Sequence, residues 1–225
     1  MKGVSDDLEL VDLPSEVPIF PLESVLLLPG GQLPLNIFEP RYLAMVDHVL
    51  STPTRLIGMV QPLKGQPGQD VPNNPAPDLF RVGCAGKLAF FQESNDGRYM
   101  IALSGICRFR IDGEKMHDGG FRLASANWKD FSCDLKIDIS AFDRKPLIEV
   151  MKRYFRLKGF ETDWGEIEKS DNQQLLATLS MVCPFDVAEK QALLEADTLA
   201  DRADLLIAIM EMALHREVNN NDARH

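Results

Sequence analysis

Long apolar runs are missing from this sequence. The stretch at residues 25–28 stops at Pro29, whereas a membrane-spanning helix needs about 20 apolar residues in a row. A basic segment followed by an apolar one is missing from the start, where residues 1–14 are acidic, so no secretory signal is read there. Cysteine is scarce. Cys84, Cys107, Cys133 and Cys183 contain no C-x-x-C pair, and the close ligand pairs of a structural zinc site are therefore absent. A chain of 225 residues can bury a sizeable core without a disulfide framework. His48, His117, His215 and His225 show no metal-binding spacing. We therefore expect a cytoplasmic protein with no membrane span, no metal, and four reduced thiols among apolar neighbours.

Positive charge is also in short supply. Lys and Arg number 24 against 34 Asp and Glu, a formal net charge of -10. Both halves share the imbalance, which divides at residue 125 into 11 cations against 15 acids (-4) and 13 against 19 (-6). Nucleic-acid binding depends largely on cation–phosphate contacts, so such a partner is not expected from the bulk charge. One segment runs the other way. Residues 144–158 hold six cations (Arg144, Lys145, Lys152, Arg153, Arg156, Lys158) and one acid, Glu149, with Tyr154 and Phe155 between them. This is either an RNA-binding patch or an amphipathic helix flanked by long basic side chains.

Catalytic signatures are lacking too. Gly83-Cys84-Ala85-Gly86-Lys87 faintly echoes a phosphate-binding loop, but Arg81 and Leu88 stand where a Gly and a hydroxyl residue are needed. The glycines fit a bulge or bend in a strand more simply. Ser104-Gly105 is not part of a nucleophile elbow. Asp130, Asp134 and Asp138 are spaced by four and read as a solvated helix face, since a metal site would need further converging oxygens. No catalytic residue and no cofactor is assigned.

What is present divides near residue 130. Before it, short apolar runs are punctuated by Pro and Gly, the pattern of strands and tight turns. These runs are residues 17–20, 24–28, 32–35, 56–60, 80–93, 98–103, 107–111 and 121–128. Asn95-Asp96-Gly97 supplies a hairpin turn. A helix opens at Pro40, with Leu43, Val46 and Leu50 on one face. Residues 61–78, with five prolines and two glycines, form a long loop. Seven or eight short strands in this length suggest a small closed or partly closed barrel. After residue 130 the period is helical. Leu147, Val150 and Tyr154 mark one helix, closed by Gly159. Leu175, Leu176, Leu179 and Val182 mark a second, stopped by Pro184. Asp186 with Glu189, and Thr198 with Asp201, are start signals for two more, the last carrying Leu205, Ile209 and Met212. The polar tail from Val218 is expected to fray.

Binding candidates come from the densest mixed segment, residues 36–42. Phe38 and Tyr42 are four apart with Arg41 beside both, an aromatic anchor for an extended peptide with a cation for a carboxylate or carbonyl. The plainer alternative is that Phe38 plugs the barrel and Arg41 pairs with Glu39. Phe90 and Phe91 are further candidates, and alternation along a strand leaves at most one of them available.

Four ordered segments resemble the N-terminal substrate-binding domain of the Lon protease family. They are Ile19-Phe20-Pro21-Leu22-Glu23 through Leu28-Pro29-Gly30; residues 32–42; Arg81-Val82-Gly83 with residues 85–90 and Ser104-Gly105-Ile106-Cys107-Arg108-Phe109; and residues 189–195 with Arg202. The resemblance implies an α+β fold, with a PUA-like β-barrel and one helix over residues 1–130 and a C-terminal helical bundle over residues 131–225. It also implies a non-catalytic module for unfolded or apolar polypeptide, or for a protein partner, in protein quality control. RNA binding by a PUA-like barrel is the alternative, and a hydrolase with an unrecognised site the remotest. The family's ATPase and peptidase segments have no counterpart in these residues. Casein incubated with the protein should therefore stay intact on a gel, with or without ATP and magnesium; fragments appearing in step with protein concentration would overturn the non-catalytic reading.

Overall fold

A computed structural model describes residues 10–63, 77–136 and 142–222, with side chains through residue 217. Six strands and one helix form its first part: β1 (Glu16–Pro21), β2 (Gln32–Ile37), α1 (Pro40–Leu50), β3 (Leu56–Val60), β4 (Val82–Glu93), β5 (Tyr99–Met116) and β6 (Arg122–Asn127). The sheet order is β2-β5-β4-β3-β1-β6. β1 and β3 run parallel and the other pairs antiparallel. β6 pairs with β1 on one side and with the far half of β5 on the other, so the pairings β1-β3-β4-β5-β6 close on themselves. This closure needs the length of β5, 18 residues. Its first half bonds to β2 and the tip of β4, and its second half to the start of β4 and to β6.

The strand count differs from expectation because of that length. The two runs read as separate strands at residues 98–103 and 107–111 are one strand, bent by register shifts at Ala85/Gly86 and Ile111/Gly113. The run at residues 24–28 is not a strand. Leu26, Leu27 and Leu28 are buried there without a ladder. The following Pro29-Gly30-Gly31 turn is tied to β5 instead: the Gly30 N–H donates to the Gly105 carbonyl (3.0 Å), and the Gly105 N–H donates to the Gly31 carbonyl (2.8 Å). In α1 the buried residues are Tyr42, Met45, Val46 and Val49. The buried stripe is thus turned from the expected one, and Leu43 and Leu50 lie at its margin. The proline-rich loop lies for the most part outside the described residues.

Five helices follow: α2 (Arg144–Lys158), α3 (Trp164–Lys169), α4 (Asn172–Val182), α5 (Val187–Glu195) and α6 (Leu199–Asp222). Each expected boundary signal operates. Gly159 ends α2 in the left-handed region at φ 70°. Asp186 and Glu189 form a reciprocal capping box. The Thr198 hydroxyl donates to the Asp201 carboxylate (2.6 Å) and accepts from the Asp201 N–H (3.1 Å). Leu147, Val150 and Tyr154 are buried on α2 as expected. Two stripes are displaced: Val182 is exposed at the end of α4, and α6 buries Leu206, Ile209 and Met210 while Met212 faces outward. The backbone of α6 continues to Asp222, past the point where fraying is expected. α3, with six residues, is too short to display a helical period.

Two buried clusters result. One is built from the strands and α1, with Ala177 and Leu194 added from the helices. The other contains only residues of α2 to α6 and the turns between them. Polar side chains stitch the two together. The Gln61 amide donates to Gln191 Oε1 (3.1 Å) and the Val187 carbonyl (3.3 Å), and the Gln191 amide donates to the Val82 carbonyl (3.1 Å). Lys190 donates from α5 to the Ser24 carbonyl (2.8 Å) and the Met181 carbonyl (3.2 Å). Burial holds the Lys190 ammonium below the usual lysine pKa. Cys84, Cys107 and Cys183 are buried free thiols, but Cys133 is exposed, against expectation. Burial raises the pKa of all three buried thiols, that of Cys183 to about 12, which makes them poor nucleophiles at neutral pH.

The Gly105 contact is the tightest backbone approach in this part. A Cβ there would overlap the Leu28 carbonyl, and backbone cannot yield as a flexible side chain can. Gly105→Ala should cost about 3 kcal/mol, the upper end for overpacking, or roughly 6–12 °C in Tm. A calorimetric Tm within about 2 °C of wild type would contradict this packing.

Candidate functional site

Beyond Leu88, β4 leaves its neighbour β3. The last β3–β4 register pair is Leu56 with Lys87, and the Leu88 N–H bonds to the Arg55 carbonyl (2.9 Å). The tip of β4, the start of β5 and β2 continue as a three-stranded extension. Alternation gives the extension two faces. Leu33, Leu35 and Ile37 of β2 pair with Leu103, Ile101 and Tyr99 of β5 and face inward. The Tyr99 hydroxyl fastens this face to α1 by donating to Asp47 (3.0 Å). The opposite face carries Pro34, Ala102 and Phe90 in one cross-strand row, and Asn36, Met100 and Gln92 in the next.

That outward face exposes apolar side chains between the polar Asn36 and Gln92, which are also exposed. Phe90 is 50% exposed and Met100 42%, and Pro34 is exposed beside them. Scattered exposed apolar residues are ordinary, but neighbours in register on one face form a patch. A backbone edge adjoins it. From Ala89 to Glu93, β4 pairs only with β5 among the described residues. A sheet edge with an apolar face beside it can accept an extended chain as an added strand.

The five candidates from the sequence do not form one site. Phe90 lies in the patch. Phe91 lies on the inner face, its ring edge-on to Tyr99 at 5.0 Å, yet remains 37% exposed. Both phenylalanines are therefore partly accessible, because the extension stands clear of the body and a register shift separates Leu88 from Phe90. Phe38 follows β2 directly and is 63% exposed, so it is not a plug. Tyr42 is a core residue, 6% exposed and packed against Phe20 with ring centroids 4.2 Å apart. It cannot serve as a surface anchor, and burial raises its hydroxyl pKa. Arg41 is held locally, bonded to Glu39 (2.8 Å) and stacked over Tyr42 (4.6 Å). Met100 and Pro34 escaped notice because face and edge are properties of strand register, which a single sequence does not display.

The basic run on α2 is mostly engaged. Arg144 donates to the Ser170 and Ile167 carbonyls (both 2.8 Å), and Arg153 pairs with Glu211 (2.7 Å). Lys152 lies over the Trp164 ring, and Lys158 lies over the Tyr154 ring.

A second feature lies between the strands and the bundle. Arg108 of β5 forms a buried two-pronged ion pair with Asp134, Nε to Oδ2 (2.9 Å) and Nη2 to Oδ1 (2.8 Å). Its Nη1 donates to the Leu194 and Ala196 carbonyls (3.0 and 2.6 Å) at the end of α5. Burial alone would lower the Arg108 pKa, but the Asp134 carboxylate outweighs it and the net shift is upward. Asp134 is therefore a buried partner and not part of a solvated acidic face. It sits in a 3-10 turn (Lys129–Leu135), Asp130 pairs separately with Arg110 (3.2 Å), and Asp138 lies outside the described residues. A cleft of about 330 Å³ opens beside this pair.

With this geometry in hand, the comparisons with known proteins are specific. The family model of the ATP-dependent protease La (LON) substrate-binding domain matches residues 16–212. The Lon protease of Cytophaga hutchinsonii is 25% identical over 212 residues, 91% of this chain and 25% of the relative. Lon protease 2 of Myxococcus xanthus is 24% identical over 204 residues, 88% of this chain and 24% of the relative. The chain thus spans about a quarter of the length of these relatives. The crystal structure of a Lon N-terminal domain protein from Xanthomonas campestris superposes with a TM-score of 0.61 at 25% identity, covering 87% of this chain and 98% of that one. The N-terminal domain of the Mycobacterium avium complex Lon protease gives the same TM-score and coverage at 16% identity, a likeness of fold.

The Arg108–Asp134 pair predicts a sharp contrast between two aspartates four residues apart. Asp134→Ala strands a buried guanidinium and should cost about 3–5 kcal/mol. Asp130→Ala removes an exposed partner and should cost less than about 1 kcal/mol. Urea denaturation of both variants checks this, and equal midpoints would refute the assignment.

Proposed function

Because the chain belongs to the family of Lon (ATP-dependent protease La) substrate-binding domains, we propose that it is a non-catalytic binding module for extended apolar polypeptide, held on the outer face of β2-β5-β4. The observation that carries this reading is the exposed patch of Pro34 and Phe90 in one cross-strand row and Met100 in the next, beside the edge of β4 that is open among the described residues. The closed strand pairing supports reading residues 1–130 as a PUA-like barrel, and the separate helical cluster supports residues 131–225 as its bundle. The absence among the described helices of one long and apolar enough to cross a membrane is compatible with work in the cytoplasm. The acidic net charge and the intramolecular contacts of the α2 cations favour polypeptide over RNA.

Affinity follows from the areas involved. Fully burying a Phe or Met side chain stabilises by about 1.5–3 kcal/mol. Phe90 and Met100 are already half covered, so each gains roughly 1 kcal/mol on binding. Main-chain pairing along β4 adds to this, and ordering the client subtracts. The two side chains supply about 2 of the roughly 8 kcal/mol that micromolar binding needs, so main-chain pairing along β4 and further client contacts supply the rest.

Anisotropy of a labelled, reduced and carboxymethylated polypeptide tests the reading. We expect micromolar binding that changes less than about threefold between low and physiological salt. Phe90→Ser with Met100→Ser should weaken it about thirtyfold, from roughly 2 kcal/mol, while Arg41→Ala leaves it unchanged. Steep salt dependence, with loss of binding when Arg153 and Arg156 are neutralised, would replace this reading with an anionic partner.

A further inference from the structure

The cleft between strands and bundle holds two guanidinium groups and one buried carboxylate. Arg108 and Arg202 both line it, and both cap the same helix end, since Arg202 Nε donates to the Leu193 carbonyl (2.8 Å) where Arg108 takes Leu194 and Ala196. Asp134 neutralises Arg108. Arg202 is only 5% exposed, and no carboxylate lies within ion-pair distance of it among the described residues. The carbonyls at the end of α5 offset part of its charge. Its Nη2 also reaches the Ala196 carbonyl (3.5 Å), and Asp134 attracts it from beyond ion-pair distance, which leaves a largely buried cation beside a like charge with guanidinium N–H groups to spare. Burial and then Arg108 hold its pKa down to about 10 against the opposing pull of Asp134, so it is still charged at neutral pH.

A largely buried cation with no carboxylate in contact is costly, and a partner of opposite charge relieves that cost. The space beside Arg202 can hold such a partner. The cleft volume, about 330 Å³, lies at the lower end for small-ligand sites. Pro29 and Leu199 supply apolar wall, Gln173 an amide, and Lys136 a second cation at the rim. Thr198 lines the cleft too, but its hydroxyl is committed to Asp201. Asp197 is exposed at the rim and disfavours a ligand with two negative charges.

We propose that this cleft is a binding site for a monoanionic carboxylate, paired to the guanidinium of Arg202 and with its carbon skeleton against Pro29 and Leu199. A planar guanidinium matches a carboxylate in a two-pronged geometry. The carboxylate belongs either to a small organic acid or to the C-terminus of a polypeptide. The site is separate from the apolar sheet face, so either can fail without the other.

The test is titration of the isotopically labelled full chain, followed by backbone amide shifts at Lys136, Gln173 and Leu199, with four probes. These are N-acetyl-leucine, its amide, inorganic phosphate, and a hexapeptide ending in leucine with a free carboxylate. The acids should move these amides and bind at least tenfold more tightly than the neutral amide. A hexapeptide that binds more tightly than N-acetyl-leucine identifies a chain terminus as the ligand; equal affinity identifies a small acid. Lys136→Glu, a change at an exposed rim position that leaves the fold intact, should weaken the acids at least threefold. Arg202→Lys, which keeps the charge and loses the fork, should weaken them further. Equal binding of acid and amide, no shift with any probe, or preference for phosphate would each overturn the proposal.

Discussion

The guanidinium of Arg108 ties together the parts of this molecule that local sequence signals do not. It leaves β5 at the point where that strand passes from one set of partners to the other. It grips Asp134 of the 3-10 turn and bonds the last carbonyls of α5. Its plane lies over the Phe131 ring, 4.7 Å from the centroid. Three chain segments far apart in sequence are thus fixed by one planar group. The cost of burying its charge is offset because nearly every donor is used. Gln61, Lys190 and Gln191 repeat the device at lower cost, each reaching from one cluster to the backbone of the other or to its amide. The seam between strands and helices is therefore polar and directional, which sets the orientation of the bundle more narrowly than apolar contact alone.

That orientation has consequences for both surfaces discussed above. With the bundle packed near the β3 side of β4 and against the start of β5's second half, the other end of the sheet is left uncovered. The extension formed by β2, the start of β5 and the tip of β4 has one face on α1 and, among the described residues, one face bare. The bare face is where apolar residues are accessible, and an open edge lies beside it. The cleft, in turn, exists because two arginines converge on one helix end while one carboxylate answers them. The same packing that satisfies Arg108 leaves Arg202 in excess.

The glycines of the Pro29 turn and Gly105 belong to this logic. β5 must pass close under the irregular segment at residues 25–31, and only a residue without a Cβ lets the Leu28 carbonyl approach. Three consecutive leucines can then be buried with no ladder of their own. The Leu28 carbonyl accepts from the Gly31 N–H (2.9 Å), and the turn that follows is tied to Gly105 through Gly30 and Gly31.

The change from strands, the last ending at Asn127, to helices, from Arg144 on, the helix starts at Pro40, Asp186 and Thr198, the stop at Gly159 and the turn at Gly97 were legible from residue order alone. Each depends on chemistry within a few positions: a cap, a missing N–H, a positive φ. The resemblance carried by residues 19–30, 32–42, 81–109 and 189–202 was legible for the same reason, as ordered local patterns. What the sequence could not supply is whatever depends on partners distant along the chain. The runs at residues 98–103 and 107–111 fuse into one strand because β4 and β6 both need it. Tyr42 turns inward to Phe20 and Phe38 outward, though spacing alone made them equivalent. Asp134, one of three evenly spaced acids, is buried because Arg108 meets it. Periodicity assigns residues to faces, but only tertiary packing decides which face meets protein and which is left for a partner.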